Sequence, residues 1–117
     1  MSGSGTEPKL QVALDFVDLP RALKVAEEAV LGGADWLEAG TPLIKSEGLQ
    51  AVRALRDRWP GHVVVADMKT MDAGRAEVEY AAKAGAGVVV CSAPPPTPPS
   101  ASAWSPPATT EPKSSWT

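Results

Sequence analysis

The chain has 117 residues, a formal net charge of −3 and one cysteine, which bounds it to one small domain and excludes a disulfide framework or a cysteine-rich zinc site. Hydrophobic residues make up 44% and charged residues 21%, a globular balance, and a mildly acidic chain without a basic stripe is a poor nucleic-acid binder. No apolar run approaches the roughly 20 residues that span a membrane, and the opening MSGSGTEPK lacks the apolar segment of a secretory signal, so the expected compartment is the cytoplasm.

Residues 1–9 are small and polar and are expected to form a flexible N-terminal arm. LQVALD, starting at Leu10, is a short apolar run closed by an acid and predicts a strand. Asp18 then offers an N-cap with Pro20 in the first helical turn, and Leu19, Leu23, Ala26 and Val30 recur at helical spacing until Gly32 and Gly33. ADWLEAG predicts a second strand, again carrying an acid near its end. Leu49, Val52, Leu55 and Trp59 mark a second helix closed by Pro60 and Gly61. HVVVAD predicts a third strand, Ala73 to Ala84 a third, alanine-rich helix stopped by Gly85, and AGVVVC a fourth strand.

A strand therefore recurs about every 25 residues with helix between. The strands are short and continuously apolar, which suits parallel strands covered on both faces, in an open doubly wound sheet or a closed (β/α)8 barrel. After Ser92 the rhythm stops. APPPTPPSASAWSPPATTEPKSSWT holds too much proline for helix or strand and too few apolar residues for a core. The expected organisation is the arm, a partial (β/α)8 barrel over 10–91 with about four strands and three helices, and a disordered tail over 92–117.

Asp15, Glu38 and Asp67 close three successive strands. Parallel α/β folds place their active sites at the C-terminal strand ends, and neighbouring strands lie about 4.8 Å apart, so the three carboxylates are expected to form one cluster. Such a cluster is costly unless a cation neutralises it, and hard oxygen ligands favour magnesium. Lys69, two residues beyond Asp67, would share its side if the strand continues, where an ammonium stabilises an oxyanion or moves a proton. Strand-end acids also serve as helix N-caps, a role open to Asp18 and Asp72. The glycines form no phosphate-binding loop of the dinucleotide or NTP type. His62 precedes the third strand, at the wrong end for catalysis, and Cys91 has no visible histidine partner and is expected to be a buried, inert thiol. Trp36 and Trp59 are expected to be core or helix-packing residues, and Arg53, Arg56, Asp57 and Arg58 to form a solvated helix face.

LQVALDFVD, WLEAGTPLIKSEGLQAVRALR and VVVADMKTMDAG resemble the first three βα units of 3-hexulose-6-phosphate synthase, a member of the orotidine 5'-phosphate decarboxylase superfamily of barrels, whose close relative is 3-keto-L-gulonate-6-phosphate decarboxylase. The resemblance covers residues 10–91 and rests on ALD, E-x-G-T-P, EGL-x-AV-x-x-L-R and A-D-x-K-x-x-DAG; KTMDAG is closer to the synthase. It implies aldol addition of formaldehyde to ribulose 5-phosphate through a magnesium-stabilised enediolate. It further implies that Glu38 and Asp67 are magnesium-associated acids, that Asp15 and Glu38 bind substrate, and that Lys69 lies beside the enediolate. Asp72 would reach the active site of the other subunit of a homodimer.

The resemblance ends at Ser92, about halfway through an eight-stranded barrel. The family's later histidine, phosphate loops and arginines have no counterpart, so the chain as written is expected to be inactive. Back-translation of the tail in permitted codons, read one base earlier, gives Val-Leu-Gly-Ala-Ala-Ala-Asp-Ala-Thr-Ile-Arg and then Glu-Arg-Val-Val-Ala-Ala-Arg-Asp-His-Gly-Ala-Glu-Val-Leu-Val-Asp. That string restores the helix–glycine–strand rhythm, and the tail is therefore expected to be an out-of-frame product. Two other readings stay open: a decarboxylase acting on 3-keto-L-gulonate 6-phosphate or orotidine 5'-phosphate, and a non-catalytic half barrel whose P-x-x-P tail (Pro95 to Pro98, Pro96 to Pro99) binds a polyproline-reading partner.

Overall fold

A computed structural model describes residues 7–93; the out-of-frame and P-x-x-P readings, and most of the arm, lie outside them. The elements run β1 Gln11–Leu14, α1 Leu19–Leu31, β2 Trp36–Ala39, α2 Thr41–Glu47, α3 Gln50–Arg58, β3 Val63–Thr70, α4 Gly74–Ala84 and β4 Val88–Cys91. The four strands form one sheet in the order β1-β2-β3-β4, every pair parallel. This is the architecture of half a (β/α)8 barrel.

Local chemistry accounts for the helix ends. The Asp18 carboxylate accepts from the Arg21 N–H at 3.1 Å, and Pro20 sits in the first turn of α1, where its missing N–H costs nothing. Ala22 and Ala26 give α1 its buried stripe. α4 ends at Gly85, whose φ of 114° only glycine adopts without strain. A Cβ there would also stand 2.6 Å from the Arg56 Cγ.

Between β2 and β3 the single helix expected over Leu49–Trp59 is only the second of two, so the half barrel has four helices rather than three. TPLIKSE forms α2, with Pro42 in its first turn and Leu43 as its one buried residue, and Gly48 at φ 73° breaks it from α3. Two turns around a single core leucine are too short to show periodicity. Trp59 caps α3 instead of lying in it, and the Arg58 guanidinium sits 5.3 Å from the centroid of its ring. The α3 charges Arg53, Arg56, Asp57 and Arg58 are exposed, as expected.

The described helices pack on one face of the sheet, as half of a closed barrel requires and a doubly wound sheet would not. Register places Val12, Leu37 and Val64, and next to them Leu14, Ala39 and Ala66, on neighbouring strands. They pack with Ala22, Ala26, Leu43, Ala51, Val52, Leu55, Ala81 and Ala84 in one apolar cluster. Burying each leucine there contributes about 1.5–3 kcal/mol. The opposite face carries Ala13, Glu38, Val65 and Val88 in register, and none of these joins that cluster. A sheet that is half of a closed barrel needs helices outside only; its other face is the barrel interior. Trp36 falls on that open face and is half-buried, outside the helix-side core. Cys91 is exposed rather than buried, because β4 is an edge strand. The ladder runs slightly past the expected boundary, with the Ser92 N–H donating to the Thr70 carbonyl at 2.9 Å. Among the described residues no helix is long and apolar enough to cross a membrane.

Candidate functional site

At the C-terminal ends of β1, β2 and β3, Asp15, Glu38, Thr41, Lys45, Asp67 and Lys69 line one open cavity of about 490 Å³. Asp15 follows the last residue of β1 and Glu38 is the third residue of β2. Asp67 lies on β3, two residues beyond Val65, the register partner of Glu38. The expected convergence of three carboxylates and a lysine is thus what the parallel register produces.

Lys69 arrives by an unexpected route. β3 does continue past Asp67, but its pairing with β4 shifts register between Asp67 and Thr70. Lys69 sits in that irregularity at φ 46°, the one described non-glycine residue with positive φ. Such a conformation costs on the order of 1–3 kcal/mol and persists where the surroundings over-determine it. Here Thr70 is buried and its hydroxyl bonds the Glu77 carboxylate of α4, while the Lys69 ammonium is tied on the other side. Its Nζ lies 2.6 Å from Asp67 Oδ2 and 3.2 Å from Thr41 Oγ1.

The hydrogen bond to Asp67 is the main cause that raises the Lys69 ammonium above its ordinary value of 10.5; desolvation opposes it, and the charges of Asp67, Glu38 and Asp15 add to it. Lys69 is therefore a cation at neutral pH. Its side chain is 58% exposed and that of Asp67 13%, so the ammonium faces the cavity and the carboxylate its wall. Asp67 Oδ1 is buried and has no hydrogen-bond partner. Glu38 Oε1 accepts from Gln11 Nε2 at 2.6 Å, which fixes that carboxylate on the open face.

An orphaned, buried carboxylate oxygen at the wall of an acid-lined cavity fits a hard cation. Among the described residues no three His, Cys, Asp or Glu side chains are grouped to hold a metal by themselves. A site drawing on Asp67 and Glu38, completed by water or ligand oxygens, is consistent with both facts, because magnesium keeps several of its waters.

Asp72 is not in the cavity. It is exposed, and its Oδ1 accepts from the Ala73 N–H at 2.6 Å; the α4 N-cap itself is Ala73. His62 lies at the opposite end, as expected, beside a second cavity of about 450 Å³ that it shares with Arg56 and Gly85. Three contributors went unread in the sequence: Thr41, which stood in the E-x-G-T-P motif without a role, Lys45, which lines the cavity from α2, and Gln11, which looked like an ordinary strand residue. Gly40 is equally constrained, since a Cβ there would overlap the Asp15 carboxylate and stand 2.8 Å from the Leu14 carbonyl oxygen.

The sequence profile described as the orotidine 5'-phosphate decarboxylase / HUMPS family matches residues 8–102. The 3-hexulose-6-phosphate synthase of Mycobacterium gastri is 48% identical over 81 residues, covering 69% of this chain and 39% of that protein. The crystal structure of 3-keto-L-gulonate-6-phosphate decarboxylase from Vibrio cholerae superimposes with a TM-score of 0.70 at 41% identity, covering 74% of this chain and 40% of the other. A crystal structure of 3-hexulose-6-phosphate synthase gives 0.69 at 46% identity, covering 72% and 40%. The chain thus spans about two fifths of the length of these relatives.

Proposed function

Because this chain belongs to the orotidine 5'-phosphate decarboxylase / HUMPS family, we propose that its half barrel carries the carboxylate–lysine side of a 3-hexulose-6-phosphate synthase site. The reaction is aldol addition of formaldehyde to ribulose 5-phosphate. The observation that carries this reading is the Lys69–Asp67 pair, held at 2.6 Å in a cavity shared with Glu38 and Asp15. Ribulose 5-phosphate loses a proton from C1, the resulting enediolate carbon attacks formaldehyde, and the new alkoxide takes up a proton.

In this reading the Lys69 ammonium faces the oxygen on which negative charge develops, where a fixed cation in a carboxylate-lined pocket stabilises it. Asp67 anchors that ammonium through Oδ2 and would be one of the residues that hold magnesium. Glu38, oriented by Gln11, would be the other protein ligand, and Asp15 binds substrate hydroxyls. Magnesium, when bound, supplies Lewis-acid stabilisation of charge on oxygen. Asp72, exposed at the start of α4, serves the neighbouring subunit of a homodimer.

The experiment is a chimera in which residues 8–93 replace the matching part of the Mycobacterium gastri synthase. Formaldehyde-dependent consumption of ribulose 5-phosphate is expected. Release of carbon dioxide from 3-keto-L-gulonate 6-phosphate, with no formaldehyde-dependent reaction, would assign the decarboxylase chemistry instead, the second reading favoured by the likeness to the Vibrio cholerae structure. A folded chimera with neither activity overturns the proposal.

A further inference from the structure

Lys69 carries three N–H donors and no acceptor, and a threonine hydroxyl has one proton and two lone pairs. Thr41 Oγ1 lies 2.9 Å from the Asp67 carbonyl oxygen, which only accepts, so the hydroxyl proton is committed there. Toward Lys69 Nζ, 3.2 Å away, the same oxygen has only a lone pair left to offer. The two bonds therefore polarise one way, from ammonium to hydroxyl to backbone carbonyl. A second proton of Lys69 goes to Asp67 Oδ2 at 2.6 Å. The carbonyl that orients Thr41 and the carboxylate that pairs with Lys69 belong to the same residue of β3.

We infer that Thr41 is a positioning residue for Lys69: by spending its own proton on the Asp67 carbonyl, it holds the ammonium with two N–H groups occupied and one left for a ligand in the cavity. The inference rests on Lys69 being the cation that meets developing charge, and it extends that reading to a residue on a different element. Thr41 opens α2, immediately after Gly40, so the element that entered the fold unannounced by periodicity is what brings the hydroxyl to the site. The irregular backbone at Lys69 gives the reason such a tether is needed. At φ 46° and with its side chain mostly exposed, a four-carbon stem loses much rotamer entropy when fixed, and Asp67 alone fixes it at one point about which it swings.

The test uses the 117-residue chain without substrate or metal, so its outcome is independent of whether the chimera turns over ribulose 5-phosphate. The probe is hydrogen exchange of the lysine ammonium groups with water, followed by nitrogen-15 NMR at low temperature. In the unsubstituted chain Lys69 is expected to exchange more slowly than Lys83, whose partner Glu79 gives it a single exposed ion pair. Thr41→Val, which keeps shape and removes the hydroxyl, is expected to speed Lys69 exchange about tenfold, the loss of one hydrogen bond of ordinary net strength. Thr41→Ser is expected to stay within about twofold, since it restores the same donor and acceptor, and Lys83 is expected to stay unchanged in both. Equal effects of valine and serine, or no effect of either, would overturn the inference. So would a Lys69 that already exchanges as fast as Lys83 before any substitution, a result that stands even if the valine variant does not fold.

Discussion

The two faces of the sheet obey different rules. On the helix side, Leu14, Leu37, Ala39, Val64 and Ala66 are all at 0–1% exposure and pack in one apolar cluster. On the open side the corresponding positions are mixed: Ala13 is exposed, Trp36, Glu38 and Val88 are half-buried, Val90 is 37% exposed, and Val65 is buried at 1%. The cavity is lined by Glu38 and Asp67 of the open side, by Asp15 and Lys69 at strand ends, and by Thr41, Pro42 and Lys45 of α2. The comparison teaches that the same four strands divide their labour by parity. Alternate residues hold the helices in place, and the residues between them carry charge that a helix-covered core would not tolerate unpaired.

That division is breakable by substitution. Leu37→Ala, on the helix side, is expected to lower stability by about 2–5 kcal/mol, the usual cost of deleting a buried leucine side chain. Urea unfolding of the chain measures it, and a loss under 1 kcal/mol would show that the helix face is not the core. Asp67→Asn, on the open side, is expected to weaken binding of a manganese probe about 10–100-fold, the equivalent of one charge-assisted contact, with stability changed far less than by Leu37→Ala. Paramagnetic resonance titration reads the affinity, and unchanged affinity would remove Asp67 from the cation site. Val90→Thr, also on the open side, is expected to shift stability by no more than about 0.5 kcal/mol. A larger loss would mean that something in solution covers that face.

The parity argument also explains what could be read from the sequence. Strand and helix order, the Asp18 cap and the Gly85 stop were legible because each rests on local chemistry. The acid cluster was legible because parallel register turns strand ends into neighbours. Which face the helices take was not legible, because VVVA reads as uniformly apolar and composition does not say which of two valines faces a helix. α2 was invisible, as two turns around Leu43 carry no period. The Lys69 backbone was beyond reach for a different reason: a register shift is a property of two paired strands, and β3 alone does not encode it. Thr41 and Gln11 were missed because their partners lie 26 and 27 positions away.

Gly40 shows how one short motif can hold two kinds of information. Even without the Asp15 carboxylate, the Leu14 carbonyl oxygen at 2.8 Å would leave no room for a Cβ, so the glycine is dictated by the path of the backbone whatever the reaction. Glu38 and Thr41, on either side of it in the same stretch, answer to the chemistry of the cavity. A match at Gly40 is thus a message about shape, and a match at its neighbours a message about reactivity. Another sequence that kept the glycine and lost the glutamate and threonine would be announcing the same chain path with a different occupation.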